Sequence, residues 1–167
     1  MQVLANDALT RIRSGLSLGF GVQHLRECCD GAEGLDALRQ WPADMAIVDF
    51  QMSPIDGVEF TRLVRNAADS PNPFLPIIML TGPAAKARVE EARDAGVTEF
   101  VVKPVTARAV VDRINAVILR PRPFVRTAEY FGPDRRRRQD PAHTGPWRRK
   151  GDDSRIGADG PAEAKKG

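Results

Sequence analysis

The chain has 167 residues, 42% of them apolar and 28% charged, with a formal net charge of +3. That suffices for one domain with a sizeable core and an appendage, while no apolar run approaches the roughly 20 residues of a membrane span. The start MQVLANDALTRIRSG lacks the basic-then-apolar order of a secretory signal, so a cytoplasmic location is expected. The charge is unevenly placed: through Leu119 acidic residues outnumber basic ones 15 to 12, and from Arg120 onward basic residues outnumber acidic ones 13 to 7. Two parts with different roles are expected.

In chain order, Val3 to Ala5 reads as a short first strand ending at Asn6 and Asp7. A second register competes, because Ala5, Leu9, Ile12 and Leu16 share a stripe at helical spacing and would make residues 1–18 one helix. That register removes a central strand and uncovers apolar surface and strand edges, so the stub is preferred. His24 reads as a half-exposed strand residue. Cys28 and Cys29, the only cysteines, match no metal-ligand spacing and read as small buried apolar residues. Asp30 is a helix cap answered by Glu33 three residues on, as in a capping box, and Ala32, Leu35 and Leu38 give that helix its stripe.

Met45 to Val48, Ile77 to Leu80 and Phe100 to Val102 are almost continuously apolar, as buried parallel strands are. Between the first two, Phe60, Leu63, Val64 and Ala67 repeat at i, i+3, i+4, i+7, and Asp56 in "PIDG" reads as a turn and helix-start residue. Val89, Ala92 and a stop at Gly96 outline the next helix. The last has a stripe of Val110, Val111, Ile114, Val117 and Ile118, with Thr106 as its start. Strand and helix alternate, which calls for a doubly wound parallel sheet with helices on both faces and ligands collecting beyond the carboxyl ends of the strands. Asp49, Thr81 and Lys103 each stand at such an end. Alone, each has a bland reading: a cap, a strand end, a solvated lysine. Together they place an acid, a hydroxyl and a cation on one rim.

The stretches "CCDGAEGLDAL", "MAIVDFQMSPIDGVEF", "LPIIMLTG" and "DAGVTEFVVKPV", with the closing helix, resemble the receiver domain of bacterial two-component response regulators across about residues 22–119. The resemblance implies a flavodoxin-like α/β fold of five parallel strands, with residues 1–119 as receiver and 120–167 as tail. It implies Asp49 as phosphoacceptor, Thr81 as the hydroxyl that follows the phosphoryl group, Phe100 as the switching aromatic and Lys103 as the cation, with Lys103–Pro104 a cis peptide. From the chemistry, Gly82 leaves room for a phosphoryl oxygen beside Thr81, and transfer to a carboxylate is mostly positioning and charge neutralisation. The implied donor is a sensor histidine kinase or a histidine phosphotransfer protein, and the output goes to a protein partner. No Gly-rich phosphate loop follows any strand, so a metabolic enzyme is not expected.

Receivers hold Mg²⁺ with an acidic pair after the first strand, and hard cations take oxygen ligands. Here Asn6 and Asp7 offer at most one carboxylate in that place. The expected site is Asp49, the backbone carbonyl of Gln51, Asp7 and Asn6, weaker than the family's. Pro54 stands five residues after Asp49 instead of the usual four, changing loop shape. A binding module that keeps the fold without phosphorylation is the alternative.

From Arg120 the text is rich in Pro, Arg and Gly without periodicity, and a largely disordered tail is expected. It is too short and proline-broken for a winged-helix or helix-turn-helix output domain. The unit Gly-Pro-x-Arg-Arg occurs at Gly132 and again at Gly145, and Phe124, Tyr130, Phe131 and Trp147 lie among the arginines. Arg135, Arg136, Arg137, Arg138, Trp147, Arg148 and Arg149 are the candidate contacts for a partner. Three readings stand: a solvated basic tail whose Phe124 to Phe131 portion packs back on the receiver, a protein-binding segment, or a nucleic-acid- or lipid-binding one. Nucleic acid is not favoured over protein.

Overall fold

The computed structural model describes residues 1–6, 22–82, 88–135 and 155–156. Five parallel strands, β1 (Gln2–Asn6), β2 (His24–Cys28), β3 (Met45–Asp49), β4 (Ile77–Thr81) and β5 (Glu99–Val102), form one sheet in the order β2-β1-β3-β4-β5. Among the described residues four helices accompany them: α1 (Gly31–Gln40), α2 (Gly57–Asn66), α3 (Val89–Ala95) and α4 (Ala107–Leu119). The order reverses between β1 and β3, which opens the crevice at their carboxyl ends.

The two-residue alternation of a strand divides the core into two layers. Leu4, Ala46, Val48, Ile77 and Met79 face α1, α2 and α3. Val3, Ala5, Met45, Ile47, Ile78 and Leu80 pack with Val110, Val111, Ile114 and Val117 of α4 on the other face. β3 and β4 are buried throughout, which is why they read as continuous apolar runs.

The first strand is present, and it corrects the expectation of a shortened one. At five residues β1 is as long as β2, β3 and β4, and it pairs on both sides, Gln2 to Asn6 with β2 and Val3 to Ala5 with β3. Two stripes also shift. The buried side of α1 is Gly31, Gly34, Ala37 and Leu38, with Leu35 only partly buried; Gly34 is there because a Cβ would stand 3.1 Å from the ring of Phe60. On α4, Ile118 is 53% exposed while Val117 beside it is buried, because one residue on a helix turns the side chain about 100° away from the sheet. Cys28 is buried and Cys29 exposed, since adjacent residues at a strand end point to opposite sides. His24 is exposed on β2. The cap at Asp30 forms, with the return bond one residue earlier than in a capping box: Glu33 donates its N–H to Asp30 Oδ1 at 2.9 Å, and its own carboxylate accepts from Cys29 N–H at 2.6 Å.

After α4, residues 120–135 pack on the domain as an antiparallel hairpin, β6 (Phe124–Arg126) and β7 (Phe131–Pro133), which agrees with the reading in which Phe124 to Phe131 packs back on the receiver and differs from a segment without structure from residue 120. β8 (Arg155–Ile156) adds to its other edge. Phe124 and Phe131 are buried, with ring centroids 5.1 and 5.2 Å from that of Phe74 and 5.5 Å from each other. Arg122 donates to the Thr98 carbonyl and pairs with Glu99 at 3.0 Å, so the hairpin sits at the amino ends of β4 and β5. Its strands are too short for a periodic signal, and their partners lie far away in sequence. The remaining tail residues Arg136, Arg137, Arg138, Trp147, Arg148 and Arg149 lie outside the described residues, as does His143.

Arg65 is the other surprise, only 2% exposed on α2. It donates to the carbonyls of Gly96 at 3.1 Å and Pro73 at 2.7 Å, and its guanidinium lies 5.0 Å from the centre of the Phe124 ring. Burial pushes it down to about 9, so it is still a cation at neutral pH. Among the described residues no helix is long and apolar enough to cross a membrane.

Candidate functional site

Asp49 closes β3 and is 8% exposed. Its backbone is fixed against β4: residue 49 lies opposite Leu80 in the β3–β4 register, and the next N–H, of Phe50, donates to Leu80 O at 2.9 Å. The chain then turns under α2, where Gly57 is obligatory because a Cβ would fall 2.3 Å from the Asp49 carbonyl. Asp56 takes the turn and helix-start role expected of it. Its Oδ1 accepts from Val58 N–H at 2.9 Å and Glu59 N–H at 2.8 Å, capping α2.

The carboxylate of Asp49 is held from two directions. Gln51 N–H donates to Oδ1 at 3.1 Å, and the Lys103 ammonium forms an ion pair with Oδ2. Lys103 comes from just beyond β5, and its backbone N–H donates to Thr81 O at 2.7 Å. Thr81 ends β4 and is 5% exposed, its hydroxyl donating to Gly82 O at the long distance of 3.3 Å. Beside it a Cβ on Gly82 would meet nothing within 4 Å among the described residues. The three polar residues from three strand ends therefore share one rim.

Phe100 is half-buried in β5 and packs against the layer of α1, α2 and α3, while its carbonyl accepts from Arg113 Nε at 3.0 Å. The peptide Lys103–Pro104 is cis, and so is Ser53–Pro54. Asn6 lies at the carboxyl end of β1, between β2 and β3 in the sheet. Asp7 lies outside the described residues, and among the described residues no group of three or more His, Cys, Asp and Glu side chains is placed to hold a metal.

One neighbour carries no sequence signal. Arg88, just before α3, lays its guanidinium 4.7 Å from the centre of the Phe50 ring and reaches Asp56 at 3.4 Å and Glu91 at 3.0 Å. It ties the start of α3 to the turn that follows Asp49. A lone arginine in a polar stretch gives no hint of this, because Phe50 and Asp56 come from elsewhere in the chain.

Compared with known proteins, the model of the response regulator receiver domain matches residues 6–115. The chemotaxis protein CheY of Pseudomonas aeruginosa is 32% identical over 123 residues, 72% of this chain and 98% of that one. CheY-3 of Vibrio cholerae is 28% identical over 123 residues, covering 72% and 93%. Among solved structures, CheY4 of Vibrio cholerae superposes with a TM-score of 0.59 at 29% identity, over 70% of this chain and 97% of that one. A response regulator receiver domain protein from Clostridium thermocellum gives 0.61 at 26%, over 71% and 94%.

Proposed function

We infer the function from one premise: this chain belongs to the response regulator receiver domain family. Domains of this kind act in two-component signalling, taking a phosphoryl group from a histidine kinase or phosphotransfer protein. We propose that in this chain the acceptor is Asp49 and that residues 1–119 are the unit that receives the phosphoryl group. A carboxylate oxygen of Asp49 forms the new P–O bond, the P–N bond to the donor imidazole breaks, and the imidazole leaves with the electron pair. Acceptor and phosphoryl group are both anionic, so the reaction needs cations at the meeting point. The single observation that carries the reading is the Lys103 ammonium paired with the Asp49 carboxylate on the rim shared with Thr81.

Thr81 supplies the next step. Its weak bond to Gly82 O is readily exchanged for one to a phosphoryl oxygen, and Gly82 has no side chain to crowd that oxygen. Phe100, half-buried and reaching the same layer as α3, is the aromatic whose position would follow Thr81 and be read by a protein partner.

Receiver domains bind Mg²⁺ at the phosphorylation site, where it supplies Lewis acidity and positive charge. The donors here fit in kind: the Asp49 carboxylate and the Gln51 carbonyl are hard oxygens, and the Gln51 peptide is already turned against Asp49 by its N–H. Asn6 and Asp7 complete the proposed set. An amide at residue 6 contributes less charge than a carboxylate, so the affinity for Mg²⁺ is lower than an acidic pair would give.

Incubation of the full chain with acetyl phosphate across a Mg²⁺ series, followed by intact mass, tests both points. The expected result is a gain of one phosphoryl mass that rises with Mg²⁺ and is absent in Asp49→Asn. No gain at saturating Mg²⁺ would overturn the phosphoacceptor reading and leave a binding module on this fold.

A further inference from the structure

The loop that follows Asp49 has little regular structure to hold it. Residues 51–55 form no helix or strand, and Gln51, Ser53 and Pro54 are exposed. The loop nevertheless carries two groups that matter to the acceptor: the Gln51 N–H, which donates to Asp49 Oδ1 at 3.1 Å, and the Gln51 carbonyl, a proposed Mg²⁺ ligand. Its base is closed by Gly57 N–H, which donates to Phe50 O at 3.3 Å, and Gly57 is pressed so closely on the Asp49 carbonyl that a Cβ has no room there. A shift of this base is therefore passed to the acceptor itself.

Arg88 joins that base to α3. Its guanidinium lies over the buried ring of Phe50, with Cζ 4.7 Å from the ring centre, and reaches Asp56 Oδ2 at 3.4 Å. Phe50 opens the loop and Asp56 closes it, so one side chain touches both ends. Asp56 is committed through its other oxygen to the start of α2, and Glu91 holds the guanidinium to its own helix at 3.0 Å. A planar group that stacks with its face and bonds with its edge can do both at once, which an ammonium cannot. Arg88 is half-exposed, so its ion pairs contribute little to global stability. Their effect is on where the loop stands. The charge is shared between two carboxylates, so Arg88 acts through the residues it holds and is not a cation for the phosphoryl group.

We infer that Arg88 is a positioning residue of the acceptor site: by clamping Phe50 and Asp56 it holds the Gln51 peptide against Asp49 and so raises the affinity of the site for Mg²⁺. A site with an amide at residue 6 gains most from a loop held ready before the cation arrives. The relevance of the clamp to signalling rests on the reading of Asp49 as phosphoacceptor, while its effect on Mg²⁺ is measured without phosphorylation.

The test is a Mg²⁺ titration of the isotope-labelled full chain, read by NMR at the Gln51 amide, beside the acetyl phosphate reaction at the same Mg²⁺ concentrations. In Arg88→Gln the half-saturating Mg²⁺ concentration is expected to rise about tenfold. Phosphorylation should be slowed at low Mg²⁺ and restored at saturating Mg²⁺, with thermal melting unchanged. Arg88→Lys, which keeps the charge and loses the plane, should fall between, and Glu91→Gln, which leaves both loop contacts, should stay close to the native chain. Unchanged half-saturation in Arg88→Gln overturns the inference. So does a loss of rate that saturating Mg²⁺ does not restore, an equal shift in Glu91→Gln, or a native Gln51 amide that does not respond to Mg²⁺. A chain whose amide responds and shifts as stated but which gains no phosphoryl mass overturns the acceptor reading and leaves the clamp standing.

Discussion

At the scale of single residues, chemistry was most legible where a polar group interrupts an apolar pattern. Asp49 behind four buried residues could be singled out because a charge there costs energy unless it is paired, and the partner, Lys103, could be found only through the order of the strands. Arg65 escaped the same logic. It lies next to Val64 on an amphipathic helix and reads as surface, and what buries it is a hairpin from sixty residues on. Cys28 and Cys29 read alike in sequence but differ in the fold, and burial holds the Cys28 thiol up at about 11 against an ordinary 9.0. In the folded chain Cys28 therefore keeps its proton where the unfolded chain loses it, so stability present below pH 9 falls as pH rises from 9 towards 11. The loss is on the order of 2 kcal/mol. Urea midpoints across that range should drop more in the native chain than in Cys28→Ala, and iodoacetamide at pH 8 should modify Cys29 well before Cys28.

At the scale of elements, existence was easier to read than extent. The four described helices and the strands β3, β4 and β5 follow from periodicity and from capping residues that form the bonds their types suggest, as at Asp30, Asp56 and Thr106. The stripes slipped where glycines replaced larger residues on the buried side, as on α1, because sequence reading looks for bulk and close packing can be made from its absence. α3 shows the same economy at its end. Gly96 closes it at φ +101, and a Cβ there would meet the Phe131 carbonyl at 3.0 Å and Arg65 Cγ at 3.1 Å. Gly96→Ala is expected to cost about 2–3 kcal/mol, from left-handed backbone strain and from displacing β7 and Arg65. Urea unfolding reads that loss directly, and a cost below about 1 kcal/mol would mean that the hairpin contact at Gly96 contributes little.

At the scale of the whole molecule, the sheet and its polarity were legible, because a parallel order brings all carboxyl ends to one rim. The packing of Phe124 to Phe131 on the receiver was one reading of the tail, but its strands were not legible, since the hairpin is held by groups scattered over α2, the loop before β4 and the start of β5: Arg65, Phe74, Thr98 and Glu99. A chain ending at Leu119 is expected to lose about 2–4 kcal/mol, the burial of Phe124 and Phe131 less the entropy of ordering the segment. A chain ending at Arg135 should retain most of the native stability in the same urea series. Equal stability of the two shortened chains would show that the hairpin is carried by the receiver without supporting it.

Arg135 is fastened to Asp94 and Tyr130, and this ties the outer end of the hairpin to α3. A helix and a hairpin joined in this way move together, so a displacement of α3 is carried directly into the segment that follows the receiver.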